Sequence, residues 1–287
     1  MVQWNCGGLN TSTKSTPLKL GAFDKNFPNA SFDIAAFVET HHKEEQEFPE
    51  LFKILKISHH CIHTPASNDD PSAGIIVLVA KHLKILNTET LIPGRLINFQ
   101  IEIQGMESEY NFFVFYGQTS RRLNQARVKE NIQRMSEKAD WEKINVILGD
   151  FNFCSHDCDR QCDPHFYDKL WIKHWEPFCS ELDLVDPFRI QYPRKKIYSY
   201  VSPTGKSRID RVYLSQEVAQ YVVDMKYIRT IESQAHKIFS FRINHPQPKG
   251  PSFWKLNSSI LNDNAFVKLV EKTVQNVTDS RPKNHQL

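Results

Sequence analysis

Short apolar runs that stop at a polar residue recur along this chain, and they restrict it to folds built around sheets. Residues 32–38 (FDIAAFV) run into Glu39, and residues 74–79 (GIIVLV) are rich in β-branched side chains. Residues 97–103 alternate apolar and polar, the pattern of a half-buried strand. Residues 111–116 end at Tyr116, residues 144–148 stop at Gly149-Asp150, and residues 209–214 and 237–243 complete the set. Between them, residues 123–141, 166–182 and 258–277 carry apolar residues at helical spacing. Strands in succession with interspersed helices predict a mixed α/β domain, not a strict βαβ repeat.

With 287 residues, 40% of them hydrophobic, the chain can bury a full core without disulfides, and wholesale disorder is excluded. A Pro-rich stretch, residues 246–251, is the one strong linker signal. It divides residues 1–245, read as one domain, from a linker and helical tail over residues 246–287. No apolar run approaches the roughly 20 residues needed to span a bilayer. The first residues lack a basic start followed by an apolar core, so an intracellular protein with reduced thiols is expected. A net charge of +3 neither demands nor forbids a nucleic-acid partner.

Chemistry-bearing residues stand at the strand ends. In Leu148-Gly149-Asp150-Phe151-Asn152, period-2 alternation sends Asp150 and Asn152 to one face. A carboxylate beside a carboxamide suits phosphoryl chemistry, since the acid can hold water or a hard cation and the amide can donate to a phosphate oxygen. The same residues are also ordinary turn formers. Glu39 ends a second strand, Tyr116 a third, and Asn5 a very short one before Gly7-Gly8. Asp210 opens a strand among basic neighbours, and His236 precedes the last strand. Each alone reads equally well as a structural residue, but the ordered set is more specific.

That set resembles the endonuclease/exonuclease/phosphatase family, which includes apurinic/apyrimidinic endonucleases, DNase I-like nucleases and inositol-phosphate phosphatases. The strings are Trp4-Asn5 to Leu9, Val38-Glu39-Thr40, Phe115-Tyr116, Leu148 to Asn152, Ser207-Arg208-Ile209-Asp210 and the His236 region. The nearest resemblance is to the endonuclease domain of non-LTR (LINE-type) retrotransposons. Tyr198 to Arg211 looks like the hairpin before their Asp, and Trp254-Lys255-Leu256-Asn257 like the segment that leads toward their reverse transcriptase. The resemblance implies a four-layer α/β sandwich, two packed and largely antiparallel sheets flanked by helices. It implies a nuclease that nicks double-stranded DNA with Mg²⁺, or Mn²⁺ in its place. Glu39 and Asn5 would serve the metal, Asp150 would orient or activate water, and Asn152 and Tyr116 would contact the phosphate. Asp210 would hold His236, which would stabilise developing charge. The polymerase is expected to be absent, since Asp69-Asp70 lacks the Tyr-x-Asp-Asp setting. No obligate protein partner and no membrane are implied.

Two departures bear on activity. The family's Ser-Asp-His triplet reads Gln234-Ala235-His236, and a second carboxylate carried by some members is Gly7. The first strand, with only four residues before Asn5, is expected to have few upstream residues to pair. These features predict reduced cleavage in a truncated or decaying element copy. The alternatives are a DNA-binding remnant without activity and a small-molecule phosphatase of the same fold.

Residues 189–211 hold seven basic residues against one acid, a local charge of +6. With interleaved tyrosines they predict a nucleic-acid surface formed by Arg194, Lys195, Lys196, Tyr198, Tyr200, Thr204, Lys206 and Arg208. Pro203-Thr204-Gly205 is a turn signal at the tip of a hairpin. Cys154, Cys158, Cys162 and His165 lack the second, distant pair of a zinc knuckle, so zinc is not expected.

Overall fold

The structure is a computed structural model that describes residues 1–9, 15–43, 48–103, 109–119, 125–140, 142–161, 166–230, 235–244 and 264–279. The chain divides into two compact units, Met1–His245 and Pro246–Leu287.

In the first unit the elements are β1 (Val2–Asn5), α1 (Ser15–Asn26), β2 (Ile34–Val38), α2 (Glu50–Leu55), β3 (His59–Thr64), β4 (Ile75–Ala80), β5 (Lys84–Ile92), β6 (Leu96–Glu102), β7 (Tyr110–Tyr116), α3 (Gln125–Ser136), β8 (Ile144–Asp150), α4 (Phe166–Glu181), β9 (Leu184–Val185), α5 (Pro187–Gln191), β10 (Tyr200–Ser202), β11 (Gly205–Ser207), β12 (Asp210–Ser215), α6 (Gln216–Ala219), β13 (Val222–Ile228) and β14 (Ile238–Ile243). They form two six-stranded sheets, ordered β13-β14-β1-β2-β4-β3 and β5-β6-β7-β8-β12-β9, plus the β10–β11 hairpin. Pairing is antiparallel except for β1–β2 and β7–β8.

The fold is a four-layer α/β sandwich, and side-chain alternation builds its layers. Inward residues of both sheets, among them Val38, Val77, Phe99, Val114, Leu148 and Val212, share one core between the sheets. The outward residues Trp4, Phe37 and Leu78 pack with Leu20 and Phe23 of α1 and Phe52 of α2. On the other side, Phe113, Phe115, Ile147 and Tyr213 pack with Val128 of α3 and Trp171 and Trp175 of α4. Because both faces are covered, β2, β4, β7 and β8 are buried along their whole length. This is why they read as continuous apolar runs.

Two expectations change. The short β1 is not starved of partners: it lies between β14 and β2, and the Met1 amine donates to the Phe241 carbonyl at 2.7 Å. Of the helix expected over 123–141, Gln125–Ser136 is helical and 137–140 are not, while 123, 124 and 141 lie outside the described residues. Of the cysteine cluster, the Cys154 and Cys158 thiols meet the Asp159 and Pro193 carbonyls, while Cys162 and His165 lie outside the described residues.

The second unit contains α7 (Asn264–Asp279), on which Leu269 and Val270 are exposed. The linker at 246–251 and Trp254 to Asn257 lie outside the described residues. Among those residues no helix is long and apolar enough to cross a membrane.

Candidate active site

Both parallel strand pairs end at the same edge of the sandwich, and the candidate residues cluster there. In register, Asn5 stands opposite Val38, Tyr116 opposite Asp150, and Asp150 opposite Asp210. Asn5, Tyr116, Asp150 and Asp210 all follow the inward alternation of their strands, so they rise from the top of the shared core. Close approach of β7 and β8 depends on Gly149, where a Cβ would lie 1.8 Å from the Phe115 carbonyl oxygen.

Glu39 reaches the site differently. Strict alternation after the inward Val38 would turn it outward, toward α1 and α2. Instead Glu39 adopts a left-handed φ of 57°, which ends the strand and swings the carboxylate back. Asn152 is also left-handed, φ 56°, and its N–H donates to Asp150 Oδ1 at 2.9 Å. That Asx-type turn supports a conformation that bulky residues avoid. Backbone strain of this kind concentrates at functional sites.

The side chains join into one network. Asn5 Nδ2 donates to Glu39 Oε2 and to Asp150 Oδ2, both at 2.8 Å. Tyr116 Oη donates to Glu39 Oε2 at 2.7 Å. Asn152 Nδ2 donates to the Gly117 carbonyl at 2.8 Å, leaving its second hydrogen for a ligand. His236 Nδ1 lies 2.9 Å from Asp210 Oδ2, and its Nε2 stands 3.9 Å from Asp150 Oδ2. Asp210 is held in turn by Gln3 Nε2 at 3.2 Å and by its own N–H to Ser199 Oγ at 3.0 Å. Asn5, Glu39, Tyr116, Asp150, Asn152 and His236, with Ala235 and Tyr200, line a cleft of about 640 Å³.

The electrostatics divide the residues by task. Burial would raise the Glu39 carboxyl, but His41, Tyr116 and Asn5 outweigh it and hold its pKa at about 2. Glu39 is therefore an anion across the physiological range. Burial and the facing Asp210 carboxylate push Asp150 up. Burial pulls the His236 imidazole down, yet Asp210 overcomes it and raises its pKa to about 9. An imidazolium thus faces the cleft through Nε2. Burial also raises the Tyr116 hydroxyl, so it remains a neutral donor.

Asn5 Oδ1 accepts the Gly7 N–H at 3.0 Å, so the side-chain Nδ2 faces the carboxylates. Asn5, expected beside Glu39 at the metal, orients Glu39 and Asp150 through Nδ2, and its Oδ1 keeps a second lone pair beyond the one that accepts the Gly7 N–H. Glu39 fits a hard cation, being a permanently ionised oxygen donor that opens into a cleft with room for water ligands. Among the described residues, Asp150, Asp210 and His236 form the other group close enough to hold an ion.

Lys19 was not anticipated from sequence. Its ammonium donates to the Cys6, Gly7 and Gly8 carbonyls at 2.7, 2.7 and 2.8 Å, all three hydrogens used. It clamps the turn that follows Asn5 and lines the cleft. The only sequence signal was position: Thr16, Lys19, Leu20 and Phe23 share the buried stripe of α1.

The basic segment is less of a surface than its charge count predicted. Arg194, Lys195, Lys196, Thr204 and Lys206 are exposed, and Tyr198 and Tyr200 are half-buried. The Tyr200 ring packs on His236 with centroids 4.8 Å apart, which brings the hairpin to the cleft. Arg208 is corrected. It is fully buried, its Nε donates to Asp159 at 2.5 Å and its Nη2 to Asp186 at 2.6 Å, so it cannot reach a phosphate. Arg189 pairs with Asp159, and Arg211 donates to Ser155 Oγ and the Phe153 carbonyl while lying over Phe151 and Phe153.

Comparison with known proteins gives the fold and the family together. The model of the Endonuclease/Exonuclease/phosphatase family matches residues 2–225. A Xenopus laevis protein, the Transposon TX1 uncharacterized 149 kDa protein, is 28% identical over 209 residues. That match covers 70% of this chain but only 16% of the transposon protein. The AP endonuclease LMAP from Leishmania major superposes with a TM-score of 0.67 at 18% identity, covering 85% of this chain and 87% of that one. The endonuclease domain of TRAS1, a telomere-specific non-LTR retrotransposon, gives a TM-score of 0.60 at 14% identity, covering 85% and 98%.

Proposed function

The chain belongs to the endonuclease/exonuclease/phosphatase family, and from that premise we propose that it is a metal-dependent phosphodiester hydrolase that nicks double-stranded DNA. We further propose that it is the endonuclease portion of a non-LTR retrotransposon polyprotein. The observation that carries the reading is the bridge of Asn5 between Glu39 and Asp150, facing the His236–Asp210 pair across one cleft. The similarity to a much longer transposon protein supports the polyprotein assignment.

Each side chain has a task on this reading. A divalent cation, when bound at Glu39, would supply Lewis-acid polarisation of the phosphoryl group. Asn5 and the Tyr116 hydroxyl hold the Glu39 carboxylate in one orientation. Asp150, with Oδ1 on the Asn152 N–H and Oδ2 on Asn5, orients the attacking water and takes its proton. Its raised proton affinity favours that transfer. The free hydrogen of Asn152 Nδ2 and the His236 imidazolium donate to phosphate oxygens where negative charge develops. Asp210 fixes the His236 tautomer and sustains its charge. Arg194, Lys195, Lys196 and Lys206, with the Tyr198 and Tyr200 rings and Thr204, hold the DNA backbone beside the cleft.

Ala235 favours a second reading, a DNA-binding protein with impaired cleavage. Its methyl stands in the cleft wall beside His236, where the resemblance implies a carboxylate. Plasmid nicking with and without Mg²⁺, on wild type and Ala235→Asp, tests both readings. Mg²⁺-dependent nicking that rises about tenfold or more in Ala235→Asp is expected, the scale at which groups around a metal ligand act. Equal rates would remove the impairment, and no nicking by either protein would remove the nuclease.

A further inference from the structure

Arg95 lies just ahead of β6, 3% exposed, at a position that plays no part in the chemistry above. Its guanidinium carbon sits 4.1 Å from the centroid of the Tyr116 ring. Nη1 donates to the Gly117 carbonyl at 3.0 Å and approaches the Tyr116 carbonyl at 3.5 Å. Nε and Nη2 both donate to Asp70 Oδ2, at 2.8 and 2.6 Å. The Arg95 carbonyl also accepts the Tyr116 N–H at 2.8 Å.

Two of these contacts lead directly into the site. Tyr116 is the residue whose hydroxyl orients Glu39. The Gly117 carbonyl that takes Arg95 Nη1 also takes Asn152 Nδ2. One guanidinium therefore touches the ring of one active-site residue and the anchor of another. On its far side Asp70 accepts from Ser72 Oγ at 3.0 Å, and Ser72 lines the cleft. A planar fork is required for this: it stacks on the ring by its face while its edge donates to a carboxylate and a carbonyl at once. The Asp70 carboxylate balances the charge, and burial keeps the group from any phosphate, so Arg95 does not act by attracting substrate.

We propose that Arg95 is the positioning residue of this active site, fixing Tyr116 and, through the Gly117 carbonyl, Asn152. The proposal rests on the reading of the cleft as a phosphodiester hydrolase. Lys keeps the charge but loses both the plane and the fork, so Arg95→Lys is the discriminating variant. It should lower kcat by about 10–100-fold with KM within about twofold, in wild type or Ala235→Asp. In a Tyr116→Phe background the same change should cost less than the product of the single losses, since the two act through one element. A second readout does not need turnover: the Asn152 side-chain amide and Tyr116 ring signals in NMR spectra of labelled protein. They should move in Arg95→Lys while the melting curve stays cooperative. Unmoved Asn152 and Tyr116 signals in folded Arg95→Lys, a kcat loss no larger than the loss of folded protein, or fully multiplicative losses would overturn the assignment. If neither wild type nor Ala235→Asp cleaves any phosphodiester, the hydrolase reading fails, while the NMR signals still decide whether Arg95 sets the two side chains.

Discussion

Arg208→Met separates a folding role from a DNA-binding role at a fully buried cation of the basic segment. Arg208 makes three charge-assisted hydrogen bonds, to Asp159 at 2.5 and 2.9 Å and to Asp186 at 2.6 Å. Its guanidinium also lies 5.0 Å from the Phe188 ring centroid. Removing one partner of a buried ion pair costs about 3–5 kcal/mol, because the other charge stays buried. Here the lower figure applies. Asp159 keeps Arg189, and Asp186 keeps the Phe188 and Arg189 N–H groups that it caps. At about 2–4 °C per kcal/mol for a unit of this size, a loss of about 3 kcal/mol lowers Tm by about 6–12 °C. Circular dichroism melts of wild type, Arg208→Met and Lys206→Ala would measure it. DNA affinity against salt, read below the melting range, gives the second axis. Arg208→Met should leave the salt slope unchanged, whereas Lys206→Ala should reduce it by about one phosphate contact. A Tm within about 2 °C of wild type, together with a reduced slope, would refute the burial argument.

Four further outcomes follow from the same geometry. Lys195→Glu with Lys196→Glu, both exposed, should weaken DNA binding and flatten its salt dependence without moving Tm, and unchanged binding would exclude this segment from the interface. Burial would raise Asp159, but Arg208 and Arg189 hold it below the usual carboxylate range. A depressed pKa adds stability that is present above the unfolded value of about 4 and lost as pH falls through the folded value. The Tm gap between wild type and Arg208→Met should therefore narrow from pH 7 to pH 3, and a constant gap would contradict the linkage. Lys19→Met should lower stability by about 2–4 kcal/mol in denaturant titrations, since three carbonyls lose a charged donor. Ala235→Asp adds an acid beside Asp150 and Asp210, so it should melt lower in EDTA and gain more from Mg²⁺ than wild type; equal Mg²⁺ shifts would argue against a cation near His236.

Strand ends were legible where alternation alone decides direction. Asn5, Tyr116, Asp150 and Asp210 sit on the inward parity of strands buried on both faces, so apolar runs pointed to them. Glu39 was marked by the apolar run that stops at it, but its inward direction was not legible, because a left-handed backbone overrides the parity. His236 lies outside a regular strand and is set by a bridge to Tyr200, a contact no local pattern announces. β5 was missed because it is a sheet-edge strand with mostly exposed residues, which leaves no periodic apolar signal. The charge count at 189–211 misled for a related reason. Sequence shows the three internal arginines but not Asp159, which precedes Arg208 by 49 positions and meets it only in the fold.

The acids at the site and the buried arginines beneath the hairpin answer one problem at two depths. Register forces Asp150 opposite Asp210, and two facing carboxylates in a dry core repel. Asn5, the Asn152 N–H, Gln3 and the His236 imidazolium each donate into that pair, so the repulsion is offset by oriented donors. Those donors come from separate segments, and His236 is also braced by Tyr200 of the hairpin. The hairpin's base is in turn tied to the β8–α4 connection by Arg208 and Asp159. On the proposed function, Arg208 therefore serves the enzyme without touching its substrate: it fixes the strand ends between which an unstable set of charges is held ready to act.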